Sequence, residues 1–147
     1  MKILVDADAC PVKEMIVEEA KKRNIEVIMV IDTSHVINDG YSTVITVDKA
    51  RDSADIKLIN ITKENDIVVT QDFGVAAMAL GRKAFAINQN GLIYNDGNIN
   101  SLLMERHIGQ KIRRSGGRTG SIKKRTSEND LNFKHSFIEI LDKFNQA

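Results

Sequence analysis

Residues 66–87 read DIVVTQDFGVAAMALGRKAFAI. Asp66 to Thr70 is a short apolar run rich in β-branched residues, which is the pattern of a buried strand. Val75 to Arg82 is rich in Ala and Met, and its small side chains predict a helix packed closely on a sheet. Ala84 to Ile87 (AFAI) is a second strand. Two buried strands joined by a helix form a βαβ unit, so the sheet is parallel here and the crossover is right-handed.

The same alternation extends toward the N-terminus. Lys2 to Val5 and Ile25 to Ile31 read as buried strands, and Thr43 to Val47 as a third, shorter one. The helix between the first two is expected to open at Pro11, whose missing N–H is harmless in a first turn, and to end near Asn24. Ser53 is placed to cap a helix running to about Glu64, with Ile56, Leu58 and Ile59 facing inward. After Asn88 the pattern changes. Gly91 to Tyr94 reads as a short strand and Asn98 to Ile112 as a helix carrying Leu102, Leu103 and Ile108. Arg113 to Asn129 reads as a loop, and Leu131 to Phe144 as an amphipathic closing helix with Phe133, Phe137, Ile140, Leu141 and Phe144 on one side.

The expected fold is therefore α/β: a parallel-rich sheet flanked by helices, with a C-terminal helical extension. At 147 residues the chain suits a single domain, spanning 1–147, with a basic loop at about 111–129. No apolar run approaches the length of a membrane span, and the N-terminus lacks the pattern of a signal peptide. One cysteine, Cys10, rules out an intramolecular disulfide framework and suits the reducing cytoplasm. Histidines 35, 107 and 135 are scattered, so no zinc-site spacing arises.

Aspartates cluster at three places: Asp6 and Asp8 in ILVDADACPV, Asp52 and Asp55 in ARDSADIKLI, and Asp72 in VVTQDFGVAA. Ligands of open α/β sheets bind beyond the carboxyl ends of the strands, where Asp6, Asp8 and Asp72 fall. Asp52 and Asp55 stand at i and i+3 and share a helix face. A lone aspartate before a helix is as readily an N-cap as a functional group, and Asp52 or Asp72 alone could be no more than that. Together the carboxylates would repel unless a cation or shared protons offset the charge. Mg²⁺ takes such oxygen ligands, and Mg²⁺ or Mn²⁺ activates water for phosphodiester hydrolysis. The candidate catalytic residues are Asp6, Asp8, Asp55 and Asp72; the candidate metal ligands are Asp6, Asp55, Asp72 and Asp52.

A net charge of +1 conceals an asymmetry: residues 1–104 hold 11 Lys/Arg against 15 Asp/Glu, and residues 105–147 hold 10 against 5. Lys111, Arg113, Arg114, Arg118, Lys123, Lys124 and Arg125 fall in a stretch without an acid. Its glycines let backbone approach a phosphate, but it is no Walker A loop. It contains no aromatic residue, so a nucleic acid held there would be gripped by backbone phosphates rather than by base stacking. The bland alternative is a solvated loop.

ILVDADACPVK, DSADIKLI, VVTQDFGVAAMAL and RRSGGRTG together resemble the bacterial YaiI/YqxD family over nearly the whole chain. The resemblance implies a fold related to PIN-domain nucleases, in which Asp6, Asp55 and Asp72 take the acidic positions. Ala-Cys-Pro after Asp8 and the glycine-rich basic segment depart from ordinary PIN domains. The expected function is a Mg²⁺- or Mn²⁺-dependent nuclease acting on RNA in the cytoplasm. The alternatives are a non-catalytic RNA-binding protein and a small-molecule phosphohydrolase. VDAD also compares with haloacid-dehalogenase-like phosphatases, but no downstream lysine or cap completes that pattern.

Overall fold

The computed structural model describes residues 1–8, 10–32, 36–48, 53–116 and 124–145. Its strands are β1 (Lys2–Asp6), β2 (Glu26–Asp32), β3 (Thr43–Val47), β4 (Ile67–Val69), β5 (Phe85–Ile87) and β6 (Ile93–Tyr94). Its helices are α1 (Lys13–Lys22), α2 (Ser53–Ile61), α3 (Phe73–Gly81), α4 (Ile99–Arg114) and α5 (Ser127–Asn145). The strands form one sheet in the order β3-β2-β1-β4-β5-β6. All neighbours are parallel except β5 and β6. The α/β expectation holds, and the turn to antiparallel pairing falls where the sequence pattern changes.

Helices cover both faces. Ile3, Val5 and Ala7 pack with Ile16 and Ala20 of α1 and with Phe133, Phe137 and Leu141 of α5. Leu4, Val68 and Ala86 pack on the other face with Leu58 of α2, Val75, Ala76 and Ala79 of α3, and Ile99 of α4. The alternation follows from the two-residue period of a strand. Among the described residues no helix is long and apolar enough to cross a membrane.

Several boundaries differ from expectation. Helix α2 ends at Ile61, not Glu64, because the Thr62 hydroxyl donates to the Leu58 carbonyl (2.7 Å) and Asn65 turns the chain at φ 68°. Ile56 points outward and is 59% exposed, whereas Leu58 and Ile59 are buried. Ile108 is half exposed. Helix α4 runs on to Arg114, past the expected start of the loop, and stops where Ser115 Oγ donates to the Lys111 and Ile112 carbonyls. Helix α5 starts at Ser127, four residues early, after a reciprocal cap between Thr126 and Asn129. The Phe144 side chain lies outside the described residues.

Gly91 is a place where only glycine fits. Its φ is 90°, and a Cβ would lie 2.4 Å from the Asn132 carbonyl oxygen. Its bare backbone lets α5 sit against the turn before β6, where Ser136 Oγ donates to the Gly91 carbonyl (2.7 Å).

Candidate active-site cleft

The direction of sheet assembly reverses between β1 and β4: β2 and β3 add on one side, β5 and β6 on the other. A crevice opens above such a switch point. Val5 pairs with Val69, so Asp6 and Thr70 leave the sheet side by side. Thr70 Oγ1 donates to Asp6 Oδ2 (3.0 Å) and accepts from the Asp72 backbone N–H (3.0 Å). Thr70 is 3% exposed and so holds a fixed place between the two aspartates.

Asp72 caps α3. Its Oδ1 accepts from the backbone N–H groups of Gly74 (2.8 Å) and Val75 (3.1 Å). The N-cap reading is thus realised, and the same side chain also lines the cleft. Arg106 of α4 reaches the same oxygen with Nη1 at 3.3 Å. Asp8 accepts from the Asp32 backbone N–H (3.2 Å), tying the ends of β1 and β2 together.

Asp6, Asp8, Gln71, Asp72, Phe73 and Arg106 line a cleft of about 410 Å³. A neighbouring cleft of about 360 Å³ is lined by Asp55, Asp72 and Arg106 with apolar residues of α2 and α3. Asp72 and Arg106 are common to both. The structure therefore brings Asp6, Asp8 and Asp72 to one cleft and places Asp55 in the adjoining one. Asp52 lies outside the described residues.

Burial pushes the Asp6 carboxyl up to about 6, and the nearby charges of Asp55, Asp72 and Asp8 add to the shift, while the Thr70 hydrogen bond opposes it. Beneath the cleft Tyr94 is buried; its hydroxyl donates to the Thr70 carbonyl (3.2 Å), and its ring meets Phe73 edge-on at 6.0 Å. Burial and the Asp72 charge push its phenol up to about 12. The Cys10 thiol is buried, and burial raises it above its usual range.

Among the described residues no group of three or more His, Cys, Asp or Glu is disposed to hold a metal ion by itself. The donor chemistry still suits Mg²⁺, which binds through one or two carboxylates and completes its shell with water and substrate phosphate. Asp6 and Asp72 each use one oxygen in the hydrogen bonds above.

The basic residues divide. Lys111, Arg113 and Arg114 are exposed on the last turn of α4, and Lys124 is exposed before α5. Arg118 and Lys123 lie outside the described residues. Arg125 is half-buried and engaged: Nε donates to Asp130 (2.8 Å), Nη1 to Asn90 (2.8 Å) and Nη2 to the Gln89 carbonyl (2.8 Å). Sequence reading missed Thr70 and Arg106. The hydroxyl in VVTQD was visible beside Asp72; nothing local marks Arg106, because its partner is 34 residues away.

The family described as "Uncharacterized BCR, YaiI/YqxD family" matches residues 4–143. The UPF0178 protein of Ruminiclostridium cellulolyticum is 69% identical over 94% of this chain and 90% of its own length. That of Alkaliphilus oremlandii is 56% identical over 97% and 92%. That of Lachnoclostridium phytofermentans is 54% identical over 96% and 97%. No solved structure gives a significant match.

Proposed function

Since the chain belongs to the YaiI/YqxD family, whose name assigns no reaction, we propose its function from the cleft: a Mg²⁺- or Mn²⁺-dependent nuclease that hydrolyses phosphodiester bonds in single-stranded RNA. The observation that carries this reading is a switch-point cleft walled by Asp6, Asp8 and Asp72, with Asp55 adjoining, in which Asp6 is held near pKa 6. A bound Mg²⁺ or Mn²⁺ supplies a water of lowered pKa and offsets charge on the attacking and leaving oxygens.

The protein's own part is positioning. Thr70 engages Asp6 Oδ2, which leaves Oδ1 to face a cation or a water. The α3 cap fixes Asp72 through Oδ1 and leaves Oδ2 for the same use. Asp55, in the first turn of α2, takes the helix-borne acidic place of the PIN pattern, with Asp8 and Asp52 as additional candidates, and that kinship is part of the proposal. Two adjoining clefts sharing Asp72 suit an extended strand better than a compact phosphate ester. The exposed bases at the end of α4 suit a nucleic acid, and would equally serve a binder without catalysis. A buried, reduced Cys10 accords with a cytoplasmic setting.

The test is Mn²⁺-dependent hydrolysis of single-stranded RNA, with EDTA as control. Asp72→Asn keeps an oxygen for the Gly74 and Val75 N–H groups but removes the charge. Its rate is expected to fall to below about one-hundredth of wild type, the scale of losing one preorganised electrostatic group. Equal rates in both proteins would mark a contaminant and sink the reading. Wild-type binding without cleavage would favour the non-catalytic alternative.

A further inference from the structure

We infer that Arg106 grips the phosphate of a nucleic-acid strand lying over the cleft, releasing Asp72 as it does so. The inference rests on the nuclease reading for the class of substrate and goes beyond it in assigning the anion-binding group.

Three observations carry it. First, the cap of α3 is complete without Arg106. Asp72 Oδ1 already accepts two backbone N–H groups at 2.8 and 3.1 Å, and Nη1 at 3.3 Å is the longest of three donors on one oxygen. The Arg106 bond is therefore easily exchanged. Second, the side chain is 44% exposed and lines both clefts, and no other hydrogen bond joins it to a described residue. A guanidinium has five N–H donors in a planar fork that matches phosphate oxygens. Third, Arg106 begins a row. Arg113 lies seven residues on, two helical turns and about 10 Å along α4, with Arg114 beside it. A strand leaving the cleft along α4 would pass from one cation to the next.

Gly74, in the first turn of α3, lies beside both groups. A Cβ there would stand 3.1 Å from Asp72 Oδ1 and 3.7 Å from Arg106 Nη1. The helix thus opens with bare backbone beneath the guanidinium.

The experiment reads binding, not turnover. A short fluorescein-labelled single-stranded oligoribonucleotide is titrated with protein in EDTA at several KCl concentrations, followed by anisotropy. Arg106→Ala should bind about tenfold more weakly at low salt. The slope of log affinity on log salt should flatten by about 0.7, the value for neutralising one phosphate fewer on a single strand. Its melting temperature should match wild type. Arg106→Lys should keep the wild-type slope, because the charge remains, and recover only part of the affinity, because the fork is absent.

Wild-type affinity and slope in Arg106→Ala would overturn the inference. So would weaker binding that appears only together with a lower melting temperature, and so would a wild-type protein that binds no RNA. Hydrolysis of bis(p-nitrophenyl) phosphate with Mn²⁺, assayed separately, tests the catalytic reading. A protein that binds RNA through Arg106 but hydrolyses nothing loses that reading and keeps this one.

Discussion

The β1–β4 pair carries an aspartate at each end, one buried and one half-buried, and the two are treated oppositely. At the starting ends of the strands Asp66 is 3% exposed and fully engaged. It accepts from the Lys2 backbone N–H (3.1 Å), the Lys63 backbone N–H (2.8 Å) and the Lys2 ammonium. At the finishing ends Asp6 receives a hydroxyl from Thr70 and faces three other carboxylates. Both pairings join residues 64 apart, in the same strand register. The fold thus neutralises the buried carboxylate, Asp66, and leaves the half-buried one, Asp6, raised in pKa where the cleft opens. A perturbed group in a crevice makes that crevice a candidate functional site.

The largest expected effect tests the neutralised end. Asp66→Ala strands the Lys2 ammonium and two backbone N–H groups. Urea unfolding should show a loss of about 3–5 kcal/mol, the scale of breaking a buried pair from one side. A variant that melts like wild type would remove the contrast.

Next comes the raised end. The Asp6 carboxyl moves from 3.8 to about 6 on folding, so between these values the folded state holds more protons than the unfolded one. Stability from this group is full below pH 4, declines as pH rises from about 4 to 6, and leaves a cost of about 3 kcal/mol at pH 7, two units at about 1.4 kcal/mol each. Asp6→Asn should recover much of that at pH 7 and remove this slope from a stability–pH curve. An Asn variant less stable than wild type at pH 7 would mean that the charge is already compensated.

The smallest effect separates the basic residues. Replacing Lys111, Arg114 and Lys124 with Ala should leave unfolding free energy within about 0.5 kcal/mol, as surface substitutions do, while flattening the salt dependence of RNA binding. Arg125→Ala should cost about 1–2 kcal/mol, because its charge-assisted bonds hold α5 to residues 89 and 90. Equal stability losses in both variants would erase the distinction.

Much of this was legible in the sequence. The strands DIVVT and AFAI and the small-residue helix between them declare themselves by local pattern, and β1 and β2 by length and branching. Asp6, Asp8 and Asp72 reach the cleft because a strand end places them there. Arg106 was not legible: its meaning depends on α4 packing beside α3, a tertiary fact with no periodic trace. The end of α4 was misread because basic residues and glycines suggested a loop, although the Ser115–Gly116 stop signal stood three residues further on. Arg125 looked like one more charge in a run until Asn90 and Asp130 came within reach.

Helix α5 has a consequence in time. Phe133, Phe137 and Leu141 are wholly buried against the face that carries Ile3 and Val5. Strand β1 thus leaves the ribosome well before α5, the helix that covers it. Until residues 127–145 emerge, the part of this face that α1 does not cover is an open apolar surface, exposed to chaperones and to other nascent chains. The packing that closes it joins residues more than a hundred positions apart, which slows the search. Synthesis of the cleft precedes synthesis of its support, so the carboxylates are all translated before the sheet that aims them is sealed.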